Sequence, residues 1–272
     1  MILTDFHVHS DVSEDCRATM RAMAEAEARQ GIRTMCFTNH CDLRDWRTLA
    51  FQPRCLEIVP EAREKRAALE AEGRLPLEVL LGIELAEAHF RPALAAELAA
   101  GEGLDFVLGS LHILPPEGDF CRLHYTDVPQ CDRYFDRYLD ELLQVAALGC
   151  FDVMAHIGYC RRYMFRAGVD AAMTLEKHGE KIRLLLRTLI DSGKGIEINC
   201  SGIRDGCGPF PSPEILRLYR DLGGEIVTVG SDAHTPETAA ACVREGYAVL
   251  RACGFGYVTV FRQRKPAFLR LS

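Results

Sequence analysis

The chain contains no Cys-x-x-Cys pair, no long apolar run and no excess of basic residues. Each absence closes off a class of function. Twelve cysteines are present, yet several, such as Cys36 and Cys242, sit inside apolar runs. Free cysteine packs as a small hydrophobe, so a reduced cytoplasmic protein is expected rather than a disulfide framework. No apolar stretch reaches the roughly 20 residues of a membrane helix. The first residues lack a basic flank and a small-residue cleavage site, so no leader is expected either. A net charge of -7 argues against a nucleic-acid surface. It leaves room for a local pocket that takes a small anion.

What is present is a repeating alternation. Strand-like runs fall near residues 2–7, 33–38, 78–84, 105–110, 152–156, 195–199, 226–231 and 256–261. Amphipathic stretches lie between them: 17–30, 54–71, 131–148, 175–191, 213–222 with Ser212 as N-cap, and 236–250 after Thr235. Several of these end at glycine, a common helix stop. Strand–helix alternation implies parallel strands with helical crossovers. An open doubly wound sheet would carry a Gly-rich phosphate loop after its first strand, and none follows here. A closed barrel gathers residues from many strand ends at one face. With 272 residues, 48% of them hydrophobic, and no linker or repeat, the chain reads as a single α/β domain over 1–272. The polar stretch 115–130 is expected to be a long loop beside the site.

Six of nine histidines close the strand-like runs: His7, His9, His40, His112, His156 and His234. Glu84 and Asp232 occupy equivalent places. Residues two apart on a strand share a side, so His7 with His9, and Asp232 with His234, form two ligand pairs. Glu84 is the best candidate to bridge two ions, because a carboxylate can give one oxygen to each. One of the acids Glu14 and Asp15 is expected to reach back to an ion. Imidazole and carboxylate crowded at one mouth imply a metal site, with more than one metal. The remaining histidines, His89, His124 and His178, are expected at the surface.

These segments resemble the polymerase-and-histidinol-phosphatase (PHP) metallohydrolases. The matching pieces are Asp5-Phe6-His7-Val8-His9-Ser10, Phe37-Thr38-Asn39-His40, Gly82-Ile83-Glu84, Gly109-Ser110-Leu111-His112, Ala155-His156-Ile157 and Gly230-Ser231-Asp232-Ala233-His234, in the family's order. The stretch Glu197 to Arg204 is similar to the histidinol-phosphatase branch. The resemblance implies a distorted (β/α)7 TIM-like barrel of the PHP type with three divalent metal ions, Zn, Mn or Fe. It assigns His7, His9, Glu84 and Asp232 to the first ion. Glu84, His112 and His156 fall to the second, and Asp15, His40 and His234 to the third. The family often has Asp where this chain has Asn39, so the support of His40 is expected to differ.

Metal-assisted hydrolysis of a small phosphate ester follows from that ligand set. Arg204 and one of Arg161 and Arg162 are the expected phosphate binders. Asp232 or His234 would protonate the leaving alkoxide, or a metal-bound water would do so instead. The resemblance points to L-histidinol phosphate, cleaved to L-histidinol and phosphate in histidine biosynthesis. Another small ester, such as a nucleotide or sugar phosphate, and a non-catalytic metal-binding module are the competing readings. No nucleic acid or membrane partner is expected.

Overall fold

The computed structural model describes residues 2–271, so Met1 and Ser272 of the expected 1–272 domain lie outside it. Seven parallel strands form one sheet in sequential order: β1 (Leu3–Val8), β2 (Ile32–Asp42), β3 (Glu78–Ala86), β4 (Phe106–Ser110), β7 (Val153–Met154), β8 (Gly195–Asn199) and β9 (Val227–Gly230). A parallel bridge between Val8 and Ala233 brings the last strand back to the first. The amide of Asp232 donates to the His7 carbonyl at 2.8 Å, and that of His9 to Ala233 at 2.9 Å. The sheet is thereby a nearly closed barrel.

The crossovers are α1 (Met20–Arg29), α2 (Cys55–Ala71), α3 (Pro92–Ala99), α4 (Val128–Leu148), α6 (Leu175–Asp191) and α8 (Pro213–Asp221). Local chemistry sets their limits. Asp127 caps α4 by accepting from the Gln130 amide at 2.8 Å, and Gly149 ends it in the left-handed region at φ 62°. Thr19 and Thr174 cap α1 and α6 in the same way. Ser212 stands at the N-cap of α8, but its hydroxyl makes no capping bond.

Three features depart from the sequence pattern. The expected helix 236–250 begins only at Val243, as α9 (Val243–Ala252). Residues before it turn instead, with Ala240 and Cys242 at φ 53° and 60°, and the buried Glu27 carboxylate accepts from the Ala240 amide at 2.8 Å. The run near 256–261 becomes β10 (Tyr257–Arg262), which pairs antiparallel with β11 (Lys265–Arg270) outside the barrel sheet. Its Val260 and Phe261 pack with Phe6, Cys36, Leu80, Phe106 and Val153, which precede the site residues along their strands. Burying such side chains stabilises by roughly 1.5–3 kcal/mol each. Finally, the 115–130 stretch holds a small hairpin, β5 (Ile113–Leu114) with β6 (Gly118–Asp119), and a 3-10 turn at Phe120–Arg122. Two short helices, α5 (Arg161–Arg166) and α7 (Ser201–Arg204), follow β7 and β8.

Candidate metal centre

The C-terminal ends of the barrel strands carry the site. The β2–β3 register sets His40 directly beside Glu84. His156 at φ 23° and Asp232 at φ 56° adopt the left-handed region at the ends of β7 and β9. A non-glycine residue there costs on the order of 1–3 kcal/mol, and such strain collects at functional sites.

The nine ligand candidates converge. Glu84, 1% exposed, lies at the centre. Its Oε1 is 2.8 Å from His156 Nε2 and 3.1 Å from His112 Nε2. Its Oε2 is 3.4 Å from His7 Nε2, 3.6 Å from His9 Nε2 and 2.9 Å from His40 Nδ1. Asp232 Oδ1 is 3.6 Å from His7 Nε2 and 3.5 Å from His9 Nε2. On the outer side, Asp15 Oδ2 lies 3.1 Å from His234 Nε2 and 3.5 Å from His40 Nε2. The neighbouring acid Glu14 lines the same cavity but pairs with none of these histidines.

The surroundings fix which ring nitrogens bear hydrogen. Glu197 Oε1 can only accept, so the His7 Nδ1 that lies 2.8 Å away donates to it. The Ser13 hydroxyl donates to Asn39 Oδ1 and accepts from His9 Nδ1 at 3.0 Å and from the His40 amide at 3.0 Å. Asn39 therefore supports His40 through Ser13 and holds the Ser10 amide at 2.8 Å. With both Nδ1 atoms donating, His7 Nε2 and His9 Nε2 face each other at 3.1 Å; a charged His7 donates its second proton to His9 there, and a metal ion would take that proton's place. Glu84 Oε2 and His40 Nδ1 are likewise buried and close, yet neither makes a hydrogen bond. Four triads of potential ligand atoms overlap here: His7/His9/Asp232, His7/Glu84/His156, His40/Glu84/His112 and His9/His40/His234. The donor set thus fits divalent ions, with imidazole and carboxylate ligands suited to Zn, Mn or Fe.

Electrostatics agree. Burial pulls the His7 pKa down, but Glu197, Glu84 and Asp232 reverse this and hold it well above the ordinary value. His40 and His112 are raised in the same manner, chiefly by Glu84 against burial. His9, buried among other histidines, is lowered. Burial would raise Glu84 and Asp232, but the surrounding histidines keep both well below the usual range. In the metal-free chain protons on the rings balance the buried acids; a divalent cation does the same work without them.

A cavity of about 410 Å³ opens over the cluster. Arg162 lines it, with Nε 2.8 Å from Asp205, Nη2 3.6 Å from Asp232 Oδ2 and a contact to the Ser201 hydroxyl. Arg161 turns away to Asp170 at 3.1 Å, and Arg204 donates to the Ser231 carbonyl at 3.1 Å. Neither is among the residues that line the cavity. Glu197 escaped the sequence reading as a site residue. It sits in Ile196-Glu197-Ile198-Asn199, where the period-two rule that selected His7 and His9 would have put Glu197 and Asn199 on one side. His124 is exposed as expected, but His178 is not: it is 4% exposed, packed against Phe135 and 3.3 Å from Asp136. His89 is also partly covered and pairs with Glu141 at 2.9 Å.

Comparison with known proteins places this geometry among relatives. Residues 5–201 match the PHP domain family. The chain is 23% identical over 272 residues to the histidinol-phosphatase of Lactococcus lactis, covering 96% of this chain and 95% of that one. It is 27% identical over 272 residues to a probable histidinol-phosphatase of Deinococcus radiodurans, covering 97% and 98%. Among solved structures, the histidinol phosphate phosphatase of Lactococcus lactis, complexed with zinc, L-histidinol and phosphate, superposes with a TM-score of 0.76 at 20% identity, over 97% of this chain and 98% of that one.

Proposed function

Because the chain belongs to the PHP domain family, we propose that its centre is a metal-dependent phosphomonoesterase that cleaves L-histidinol phosphate to L-histidinol and phosphate. The observation that carries this reading is the convergence of the His7 and His9 Nε2 atoms, 3.1 Å apart, on Glu84 and Asp232 under an arginine-bearing cavity. The curated relatives named for that activity match this chain over nearly its whole length. His7, His9, Glu84 and Asp232 would hold one ion, Glu84, His112 and His156 a second, and Asp15, His40 and His234 a third. Divalent ions, when bound, supply Lewis acidity that makes water nucleophilic near neutral pH and draws charge from phosphoryl oxygens.

The protein's own groups do the rest. Arg162 offers a planar, always-charged donor to the phosphate, fixed in place by Asp205. Arg204, donating to the Ser231 carbonyl, holds the turn that aims Asp232 and His234. Asp232, kept ionised by His7, His9 and His234 against its burial, cannot carry the proton that the leaving alkoxide needs. His234 Nε2 faces Asp15 at 3.1 Å and would hold the third ion, so that proton would come from water in the cavity rather than from either side chain. Glu197 and Ser13 hold His7 and His9 in the tautomers described above. Among the described residues no helix is long and apolar enough to cross a membrane, and the acidic charge of -7 suits a small-molecule enzyme better than a nucleic-acid binder.

The test is phosphate release from L-histidinol phosphate by protein reconstituted with Zn or Mn. Sugar phosphates, nucleotides and a phosphodiester run beside it. Strong preference for histidinol phosphate, lost on adding chelator, is expected. Activity confined to other esters would overturn the substrate; no activity with metals bound would overturn the enzyme.

A further inference from the structure

The chain's only tryptophan, Trp46, stands at the tip of a braced loop beside the cavity. Residues 43–52 leave β2 and fold back as a finger. Arg44 bridges Phe51, the Asp45 amide donates to the Ala50 carbonyl at 2.8 Å, and the Gln52 amide donates to the Leu43 carbonyl at 3.1 Å. Asp45 Oδ1 closes the tip by accepting from the Arg47 amide at 3.0 Å and the Thr48 amide at 2.7 Å. Two cations brace the stem against the connection that follows β3. Arg44 lies over the Phe90 ring at 4.3 Å, and Arg91 over the Phe51 ring at 4.1 Å. None of these contacts uses the half-buried indole of Trp46, which the finger holds up to the cavity.

A second loop meets it there. The Arg122 guanidinium, on the 3-10 turn between β6 and α4, lies over the Trp46 ring at 3.9 Å. β2 and β4 flank β3 in the sheet. A contact between the connections that follow β2 and β4 must therefore arch over the end of β3, the strand that carries Glu84. Both Trp46 and Arg122 line the cavity of about 410 Å³. Arg122 is exposed, and a cation over an aromatic face in water is favoured only about two- to fivefold. Trp46 has the firmer footing, because the bonds and braces of the finger hold its backbone whether or not Arg122 is in place.

We propose that Trp46 is a specificity-determining residue that limits the width of the ester the site accepts, with Arg122 as the latch that keeps its ring across the arch. This rests on the phosphatase reading above. The metal cluster acts on any phosphoryl group that reaches it, and the arch decides how wide a leaving group can follow. Alanine at position 46 removes the indole and keeps the finger's backbone bonds, so it widens the cavity without touching a metal ligand.

The experiment compares p-nitrophenyl phosphate with 3-O-methylfluorescein phosphate on zinc-loaded wild type, Trp46→Ala and Arg122→Ala, with L-histidinol phosphate as the control. Both aryl esters release an acidic phenol, and they differ chiefly in width. The wild type should disfavour the wide ester in kcat/KM on the order of 100-fold, toward the upper end of the cost of forcing extra volume into a packed space. Trp46→Ala should raise kcat/KM on the wide ester at least about tenfold, with metal content and turnover of the narrow ester within about twofold of the parent. Arg122→Ala should raise it only about two- to fivefold. A gain on the wide ester is a change that a damaged fold does not produce. A second readout needs no turnover: acrylamide quenching of Trp46 fluorescence should rise in Arg122→Ala, and unchanged quenching would overturn the latch. A wild type that treats both aryl esters alike, or a Trp46→Ala that gains nothing on the wide one, would overturn the width limit and leave the phosphatase reading intact. So would turnover of L-histidinol phosphate with neither aryl ester cleaved by any variant, because something other than width would then be selecting. A larger gain in Arg122→Ala than in Trp46→Ala would make the latch the barrier and overturn the assignment to Trp46. Hydrolysis of none of the three esters by metal-loaded wild type would overturn both readings.

Discussion

Glu197→Gln removes a charge while keeping the side chain's shape, and the structure gives its cost. Glu197 is fully buried, and its two oxygens take three donors: His7 Nδ1 at 2.8 Å, the His156 amide at 2.9 Å and Asn199 Nδ2 at 3.2 Å. Glutamine offers one oxygen and an NH2 group, so at least one buried donor must face another donor. An unmet buried donor costs roughly 1–3 kcal/mol, or about 5–150-fold in an equilibrium. If the loss falls on His7, its ring no longer has a carboxylate to hold Nδ1–H and aim Nε2 at the cluster. Removing such partners behind a ligand typically weakens metal binding or activity about 10–100-fold. The two estimates agree. Metal affinity measured by chelator competition should therefore fall by about that factor, with phosphate release falling beside it and the circular dichroism unchanged. Metal affinity within about twofold of the parent would refute the placement of Glu197 behind His7.

Other outcomes follow from the same geometry. Arg162→Ala should lower kcat/KM by about 10²–10³ with metals retained, as for other preorganised charge-stabilising donors; Arg204→Ala should cost less, and the reverse order would exchange their roles. Gly230→Ala has no room, because a Cβ would lie 2.1 Å from Glu197 Oε1 and 2.4 Å from His7 Cβ; we expect about 1–3 kcal/mol of destabilisation and impaired metal loading, and a variant with parental Tm and metal content would contradict this. The pH dependence has a definite sign. In the metal-free chain His7, His40 and His112 have raised pKa values, so their stabilisation is complete below the unfolded value of about 6.5 and is lost as pH rises through the raised values. Metal binding requires the neutral rings, so the gain in Tm on adding metal should widen as pH rises above about 6.5; a gain that narrows would refute the sign.

The residues at strand ends were legible in the sequence because two simple periodicities act there. Period two on a strand pairs His7 with His9, and strand–helix alternation brings distant runs to one mouth. Glu197 obeys the first rule but hides within apolar neighbours, where an acid reads as a single anomaly. The arginines were harder, because a flexible side chain after a strand can turn several ways: Arg162 enters the cavity, while Arg161 and Arg204 find other partners. Helix α9 was expected seven residues early because Thr235-Pro236 reads as a start signal. A tertiary contact, the Glu27 carboxylate on the Ala240 amide, overrides that signal. His178 looked exposed from its polar neighbours, yet α4 covers it through Phe135 and Asp136; one helix's sequence does not reveal what another lays over it.

Barrel closure also sets an order of events during synthesis. The Ser231 amide donates to Asp5 across 226 positions of chain, beside the pairing that brings Asp232 to His7. At about 5–20 residues per second, roughly 10–45 s separate the emergence of His9 from that of Asp232. Through that interval the first imidazoles wait on a ribosome-bound chain without their last carboxylate. An ion held between His7 and Asp232 would be enclosed only after β9 has docked, and would then act as a clasp on an almost finished barrel. In the ideal-chain limit, shutting a loop on the order of 220 residues removes about 5 kcal/mol of freedom from the unfolded chain.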